Sequence, residues 1–273
     1  MSARYDCADT QQREDGLVAA TSAVQEGQLV VLPTDTVYGI GADAFTPAAV
    51  TALLAAKGRG RNMPPPVLVG SVRAAAALTE TLGQYGQDLI DEFWPGPLTL
   101  IFRSSPTLQW DLGDTLGTVA VRMPLHPVAL DLLRRTGPMA VSSANLHSAP
   151  AATSADEAQQ QLGDSVSVYL DGGQCADNVP STILDLTGTV PRLLRAGAIS
   201  VDDLRKVVPV IDLPVNPGPV EEELSPADRR AAESIAAANA AAGGVAGTVE
   251  PADIAEAADT AEADPIPDQG PGA

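Results

Sequence analysis

Short polar segments that follow apolar runs are the parts of this chain whose residue types could do chemistry. The first is PTDTVYGIG, residues 33–41, which follows the apolar run Leu29 to Leu32. Two hydroxyls, a carboxylate and two glycines after a strand are typical of a loop that holds a small polar ligand in an α/β protein. Taken alone, the segment is equally compatible with an ordinary turn that carries helix-capping residues.

Three cations lie within five residues in the second segment, KGRGRNMPPP, residues 57–66. Lys57, Arg59 and Arg61 alternate with glycines. Arginine binds phosphate oxygens through paired N–H groups, and lysine adds a mobile point charge, so we expect a phosphate site here. A solvated basic loop is the alternative. The order differs from the P-loop pattern G-x-x-x-x-G-K-[ST], which argues against ATPase chemistry of that type.

Two further apolar strands are followed by polar side chains. Arg122 closes the run in TVAVRMPLHP, where an arginine suits capture of a carboxylate, with a surface ion pair as the alternative. Ser142, Ser143 and Asn145 follow the apolar run in AVSSANLHSAP. The nucleophile pattern G-x-S-x-G is absent, and no Asp/Glu–His partner pattern follows, so binding is favoured over a serine nucleophile.

Weaker signals come from four other positions. WPGPLTLIF, residues 94–102, indicates a turn fixed by prolines before a buried strand. His126 precedes a proline at a helix start and is a weak catalytic candidate. Ser181 opens one apolar run and Arg195 closes the next, and neither signal is specific alone.

Alternating strand and helix patterns must position these segments. Strand-like runs are predicted at 28–32, 67–70, 97–102, 118–122, 138–142, 166–170, 182–186 and 191–195. Helical spacing of apolar residues is predicted at 12–26, 47–57, 72–80, 86–93, 126–135 and 154–161. The alternation predicts an α/β domain with a mixed sheet.

The net charge of −19 is divided unevenly along the chain. Residues 213–273 contain 12 acidic and 2 basic side chains, a net charge of −10, and the other 23 acidic and 14 basic residues give residues 1–212 a net charge of −9. The tail is rich in alanine, proline and glutamate and has few large apolar residues, which predicts disorder. We therefore expect one folded domain at 1–212 and an acidic tail at 213–273.

Composition also disfavours several classes of protein. No run of 18 apolar residues is present and the start lacks a signal-peptide pattern, so we expect no membrane span and a cytoplasmic location. The two cysteines and two histidines show no zinc spacing, and no metal site is predicted. The acidic balance argues against tight non-specific binding of nucleic acid.

In order and spacing, the motifs resemble the YrdC-type threonylcarbamoyl-AMP synthase family from about residue 16 to about residue 207. The motifs are PTDTVYGIGADA, KGR, WPGPLTLI, VAVRMP, SSAN, LDGG, PSTILD and LLRAG. The resemblance implies an α/β (α+β) fold in which a twisted sheet, mixed or mostly antiparallel, and flanking helices form a concave cationic cavity.

The resemblance also implies a nucleotidyltransferase reaction. L-Threonine, bicarbonate and ATP would give L-threonylcarbamoyl-AMP, pyrophosphate and water. A downstream tRNA threonylcarbamoyl-transferase complex would then pass the group to the adenosine next to the anticodon in tRNAs that read codons starting with A. Mg²⁺ is expected to accompany ATP and to keep several of its waters.

Roles for individual residues follow from the matched motifs. The threonine side would be formed by Thr34, Arg122, Ser142 and Ser181. The ATP side would be formed by Lys57, Arg59, Arg61, Thr118, Ser143, Asn145 and Arg195. The resemblance assigns no acid–base pair, and alignment of substrates with cations around the phosphates would be the main requirement.

The chain departs from the family pattern at two places. Met63 stands where the family often has a histidine, and His147-Ser148 replaces the usual Ser-Gly. A polar substrate contact and the backbone of the second loop are therefore in question. Longer relatives have a second folded domain, so a single-domain version is expected here.

Two other functions remain open at this stage. A non-catalytic RNA-binding or regulatory module would use the same concave surface, and weak RNA binding is compatible with the synthase as well. Carbamoyl transfer is the second alternative, because related domains occur in larger carbamoyltransferases. Those enzymes carry zinc-finger-like cysteines, for which this chain has no counterpart.

Overall fold

One mixed sheet dominates the computed structural model, which describes residues 2–175 and 179–212. The strands in these residues are Ala3–Asp6 (β1), Val30–Leu32 (β2), Gly39–Asp43 (β3), Val67–Leu68 (β4), Leu98–Arg103 (β5), Thr118–Arg122 (β6), Met139–Ser143 (β7), Val168–Asp171 (β8), Thr182–Asp185 (β9), Arg192–Arg195 (β10) and Ile211–Asp212 (β11). The predicted tail at 213–273 lies outside the described residues, and its disorder stays a prediction.

The strand order is β1-β8-β2-β3-β7-β4-β6-β5-β9-β10-β11. Parallel pairs are β1 with β8, β8 with β2, β4 with β6, β5 with β9 and β10 with β11. The other neighbours are antiparallel. The predicted mixed sheet is therefore confirmed, with parallel and antiparallel pairs equally common among the described strands rather than mostly antiparallel.

Six of the seven α-helices in the described residues lie at the predicted places between the strands. The helices are Thr10–Gln25 (α1), Pro47–Lys57 (α2), Val72–Leu78 (α3), Gly83–Phe93 (α4), Pro127–Thr136 (α5), Ala155–Leu162 (α6) and Val201–Arg205 (α7), with a 3₁₀ turn at Gly163–Ser165. Proline in the first turn of α2 and α5, and serine caps on α3, α6 and α7, explain where these helices begin. None of the described helices has the length and apolar character needed to cross a membrane.

Apolar side chains form two buried clusters. Neighbouring residues of β2 belong to different clusters: Val30 and Leu32 to one, Val31 to the other. Successive side chains of a strand point to opposite faces, so the sheet is covered on both sides. Leu17 of α1 and Leu132 of α5 share the cluster of Val30.

The prediction of a loop throughout residues 33–41 is wrong at its end, because Gly39 and Gly41 belong to the central strand β3. The two glycines give no strand-like side-chain pattern, so sequence alone hid this element. Packing against β7 explains why glycine is needed: a Cβ on Gly39 would lie 2.6 Å from Cγ1 of Val141. The short strands β1 and β11 and helix α7 were also missed.

Gly39→Ala should destabilise the fold by about 1–3 kcal/mol, because the added methyl group overlaps a packed side chain. Urea unfolding measures the change. Gly188→Ala is the matched control, since its Cβ would meet only the Val190 carbonyl oxygen at 3.9 Å. Equal unfolding midpoints for the two variants would contradict the close contact between β3 and β7.

Candidate active site

A cavity of about 400 Å³ lies against the central strands. Strand β6 lines it with Thr118, Val119, Ala120 and Arg122, and β5 lines it with Thr99 and Ile101. Pro64, Pro65 and Pro66 also line it. The cavity therefore extends along a sheet face, whereas the sequence indicated only the residues at strand ends.

Eight of the eleven predicted site residues line this cavity. They are Thr34, Arg59, Thr118, Arg122, Ser142, Ser143, Ser181 and Arg195. Lys57, Arg61 and Asn145 lie outside the lining in the part of the chain that the structure describes.

Arg122 is held in the cavity wall by three acceptors. Its Nε donates to the Gly96 carbonyl oxygen at 3.0 Å, its Nη1 to Thr36 Oγ1 at 3.0 Å and its Nη2 to Asp35 Oδ1 at 2.6 Å. Burial lowers the pKa of Arg122, and the Asp35 carboxylate acts in the opposite direction. A guanidinium group has five N–H donors, so two are left for a ligand.

The loop after β2 is shaped by its own hydroxyls. Thr34 Oγ1 donates to the Val37 carbonyl oxygen at 2.6 Å and accepts from the Thr36 N–H at 3.2 Å. Local bonds of this kind fix a turn and explain why threonines suit these positions. The turn presents the Thr34 and Thr36 side chains to the cavity.

Arg59 is placed by the end of α2. Gly58 is left-handed, with φ of 65°, and the N–H groups of Gly58 and Arg59 donate to the carbonyl oxygens of Ala55 and Leu54. This pair of hydrogen bonds forms a Schellman motif, which favours glycine at its left-handed residue. Glycine in KGR therefore turns the chain so that Arg59 enters the cavity.

The Arg59 guanidinium group has little compensation from protein atoms. Its Nη1 donates to Ser142 Oγ at 3.0 Å, and its Nε is buried without a hydrogen-bond partner among the described residues. Burial lowers the pKa of Arg59. A partly buried cation with an unpaired donor is stabilised when an anion binds beside it.

Arg195 reaches the cavity from the end of β10. Its Nη2 donates to the carbonyl oxygen and to Oγ of Ser181 at 2.8 and 2.9 Å, and Ser181 Oγ lies 2.8 Å from Thr99 Oγ1. Burial lowers the pKa of Arg195, and the charges of Arg122 and Arg59 lower it further. Arg122 and Arg59 are therefore close enough to Arg195 for their charges to act on it.

Lys57 is almost fully buried, with 1% of its surface exposed, and it contacts the loop after β7 rather than the cavity. Its Nζ donates to the carbonyl oxygens of Ser143 and Asn145 and to Asn145 Oδ1. Burial, together with the charge of Arg59, lowers the pKa of Lys57 to about 7. In this conformation Lys57 fixes the segment that carries Ser143.

Asn145 completes the same loop. Its Nδ2 donates to the carbonyl oxygens of Leu146 and Ala149 at 2.9 and 2.6 Å, while its Oδ1 accepts from Lys57. Every polar atom of the side chain is therefore engaged within the protein. Arg61, the third cation of the KGRGR segment, pairs with Asp111 on the outside of the cavity.

Sequence reasoning missed three residues of the cavity region. Asp35 and Thr36 stand in the first motif but received no role, and both contact Arg122. Thr99 lies inside a strand, where only its alternation with Ile101 could have indicated that it faces the cavity. His126, the weak catalytic candidate, is outside the described lining, and burial lowers the pKa of its imidazole.

Metal binding has no preformed ligand cluster here. Among residues 2–175 and 179–212, no group of three or more histidine, cysteine, aspartate or glutamate side chains could hold an ion. The polar side chains of the cavity are arginines and hydroxyls, a set suited to anionic and hydroxylated ligands.

The fold and cavity define an α/β protein with an arginine-lined cavity against one face of a mixed sheet. A family model, Sua5_yciO_yrdC, described as telomere recombination, matches residues 22–197. The chain therefore belongs to the Sua5/YciO/YrdC family.

Individual relatives agree with this membership. The chain is 55% identical to a Mycobacterium tuberculosis protein over 210 residues. This match covers 77% of this chain and 97% of the relative. It is 36% identical to the threonylcarbamoyl-AMP synthase of Bacillus subtilis over 74% of this chain and 60% of that protein. The crystal structure of Pyrococcus abyssi Sua5 complexed with L-threonine is similar with a TM-score of 0.71 and 33% identity, covering 77% of this chain and 62% of that one.

Asp35→Asn should lower the free energy of unfolding by about 3 kcal/mol, because it leaves Arg122 buried without its counter-charge. Denaturant unfolding gives the value. Glu14→Gln is the control, since it removes the partner of Arg135 in an exposed pair and should cost far less. Equal losses for the two variants would contradict the buried pair.

Lys57→Met should remove a pH dependence of stability between about pH 7 and pH 10. In this window the unfolded chain, with a lysine pKa near 10.5, binds more protons than the folded one, with a pKa of about 7, so wild-type stability rises with pH. Below pH 7 both states are protonated and the contribution is constant. The free energy of unfolding, measured across this pH range, should rise less steeply with pH in the variant than in wild type. Parallel curves for the two proteins would contradict the lowered pKa of Lys57.

Proposed function

We propose that this chain is a threonylcarbamoyl-AMP synthase, which converts L-threonine, bicarbonate and ATP into threonylcarbamoyl-AMP and pyrophosphate. The observation that carries the proposal is the group of three arginines, Arg59, Arg122 and Arg195, in one cavity with serine and threonine hydroxyls. A triphosphate and an amino-acid carboxylate together supply the negative charge that this group lacks. The names of the B. subtilis relative and of the threonine-bound P. abyssi structure support the same reaction.

Threonine would bind at Arg122. The two N–H groups of Arg122 that the protein leaves free suit its carboxylate, and the Thr34 and Thr36 turn lies beside them. Ser142 and Ser181 offer hydroxyls on the same lining. Because Asp35 already pairs with Arg122, the guanidinium group is oriented before substrate arrives.

The triphosphate would bind at Arg59 and Arg195. Both guanidinium groups have lowered pKa values because of burial, and an anion between them would offset that cost. Thr118 and Ser143 line the same space and can donate hydrogen bonds to phosphate or ribose. Lys57 and Asn145 would contribute by holding the loop that carries Ser143. Arg61, which pairs with Asp111, would contribute from outside the cavity.

The chemistry would proceed in two bond-forming steps. The amine of threonine attacks bicarbonate, forming a C–N bond and releasing water after proton transfer, to give a carbamate. A carbamate oxygen then attacks the α-phosphorus of ATP, and the bond to the β-phosphate oxygen breaks to release pyrophosphate. The protein would supply alignment and fixed positive charge, which are the contributions such displacements require.

Mg²⁺ would enter with ATP in this proposal. Its chemistry is to neutralise phosphate charge, and it commonly retains several waters and takes few protein ligands. The hydroxyls of Thr118 and Ser143 are the lining groups of the nucleotide side that suit a hard cation. Transfer of the carbamoyl group to tRNA by a partner complex, and weak RNA binding, stay predictions.

Purified full-length protein with threonine, bicarbonate and ATP should release pyrophosphate and form threonylcarbamoyl-AMP, detected by mass spectrometry. Omission of any one substrate should abolish the product. Folded protein that yields no threonine-dependent pyrophosphate would contradict the proposal. Use of carbamoyl phosphate in place of threonine and bicarbonate would instead favour carbamoyl transfer, and salt-dependent RNA binding without adenylate formation would favour an RNA-binding module.

Arg195→Gln should raise the KM for ATP by about 10- to 100-fold, the factor expected from loss of a hydrogen-bonded charge. Arg192→Gln is the matched control, because Arg192 lies at the start of the same strand and outside the cavity lining. The two variants should have similar stability. Equal KM values for ATP in both would contradict the phosphate role of Arg195.

A further inference from the structure

Two loops that form the nucleotide side of the cavity are tied together on its outer surface. The cation loop, residues 57–66, contributes Arg59 and the three prolines to the lining. The hairpin loop, residues 104–117 between β5 and β6, contributes Leu112 and Thr115. The separation between these loops therefore sets the width of the cavity at this side.

Arg61 and Asp111 join the loops through two hydrogen bonds. Nη1 and Nη2 of Arg61 lie 3.0 and 2.8 Å from the two carboxylate oxygens of Asp111, and Nε lies 3.6 Å from Asp114 Oδ1. This is the paired geometry that gives arginine–carboxylate contacts their directional specificity. All three guanidinium nitrogens of Arg61 therefore contact carboxylates of the protein.

Backbone contacts reinforce the same junction. The Asp114 N–H donates to the Arg61 carbonyl oxygen at 2.8 Å, and the Gly113 N–H donates to Asp111 Oδ1 at 3.1 Å. Gly113 has φ of 101°, and a Cβ there would lie 2.6 Å from the Arg61 carbonyl oxygen. Only glycine permits this approach of the two backbones.

A stacked aromatic pair holds the other part of the hairpin loop. Trp110 packs on Phe45, which precedes α2, with ring centroids 5.6 Å apart and an interplanar angle of 25°. The hairpin loop is thus fastened near both ends of α2, the helix that places Arg59. The two fastenings restrict the motion of the loop relative to Arg59.

We propose that Arg61 and Asp111 form a clasp that positions the two loops for ATP, so that both are positioning residues. The inference rests on the proposed function and assigns a role to Asp111 that its sequence position did not indicate. Arg61 lies two residues from Arg59, and the clasp fixes the backbone between the cavity and the hairpin loop. Loss of the clasp widens the nucleotide side and leaves the threonine side unchanged.

Direct phosphate binding by Arg61 is the competing explanation, and it makes the opposite prediction for Asp111. If Arg61 binds phosphate, Asp111 competes with the ligand, and its removal improves ATP binding or leaves it unaltered. If the two residues form a clasp, removal of either has the same effect. Asp111 is therefore the residue whose substitution separates the two explanations.

The test compares Asp111→Asn, Arg61→Gln and the charge reversal Arg61→Asp/Asp111→Arg in the full chain. Each single variant should raise the KM for ATP by about three- to fivefold, as expected for an exposed paired contact, and leave the KM for threonine unchanged. The reversal should restore most of the loss, because it rebuilds the ion pair with the two charges exchanged. A wild-type KM for ATP in Asp111→Asn, or a reversal as poor as the singles, overturns the clasp.

Arg135→Gln provides the matched control. Arg135 makes a similar two-bond contact with Glu14, at 2.9 and 2.8 Å, between α1 and α5. Its loss should leave the KM for ATP at the wild-type value. An equal rise in this variant would show that the effect is not specific to the clasp and would overturn the proposal.

Tryptophan fluorescence gives a readout that does not depend on turnover. The chain has two tryptophans, and Trp94 is buried, so acrylamide quenching reports chiefly on Trp110 of the hairpin loop. Quenching should increase in Asp111→Asn and remain at the wild-type level in Arg135→Gln. Unchanged quenching in Asp111→Asn would contradict the clasp.

Failure of the clasp can be separated from failure of the proposed function. If wild-type protein forms no threonylcarbamoyl-AMP, the proposed function is wrong, and ATP affinity from a fluorescence titration then decides the clasp. Weaker ATP binding in Asp111→Asn than in wild type supports it. Equal binding, or no binding by wild type, overturns it.

Discussion

The concentration of three guanidinium groups in one cavity is the constraint on which the rest of the site depends. Arg122, Arg59 and Arg195 come from three separate elements, and the charges of the first two act on the third. Asp35 offsets only part of this charge, through its pair with Arg122. The protein must hold like charges together, and an anionic ligand relieves that repulsion.

Backbone conformation, more than side-chain packing, positions the charged groups. The Schellman motif at Gly58 turns Arg59 into the cavity, and the alternation of β6 directs Thr118 and Arg122 to the same face. Lys57 binds the carbonyl oxygens of the loop after β7 and so supports Ser143. These contacts preorganise the site before a ligand arrives, which is the arrangement that lowers the cost of binding.

Sequence reasoning located most elements because their patterns are strong. Helix α2 was predicted with its observed bounds, since Pro47 and Gly58 mark its two ends. Strand β3 was missed because Gly39 and Gly41 have no side chains to show alternation. The pairing of strands also escaped prediction, because it depends on contacts between residues far apart in the chain.

The same limit applies to the site. Eight residues predicted from the resemblance line one cavity, but sequence could not show which of Lys57, Arg59 and Arg61 faces it. Neighbouring cations diverge here because α2 ends among them. Lys57 turns to the protein interior and Arg61 to the outer surface. Only the contacts made in the folded chain indicate roles for Asp35, Thr36 and Asp111.

A crystal structure with threonine and a non-hydrolysable ATP analogue tests the central claim most directly. The account predicts the phosphates within hydrogen-bonding distance of Arg59 and Arg195, and the threonine carboxylate on Arg122. Arg61 should remain on Asp111. An analogue bound outside this cavity, or phosphates held by Arg61 with Arg59 and Arg195 uncontacted, would contradict it.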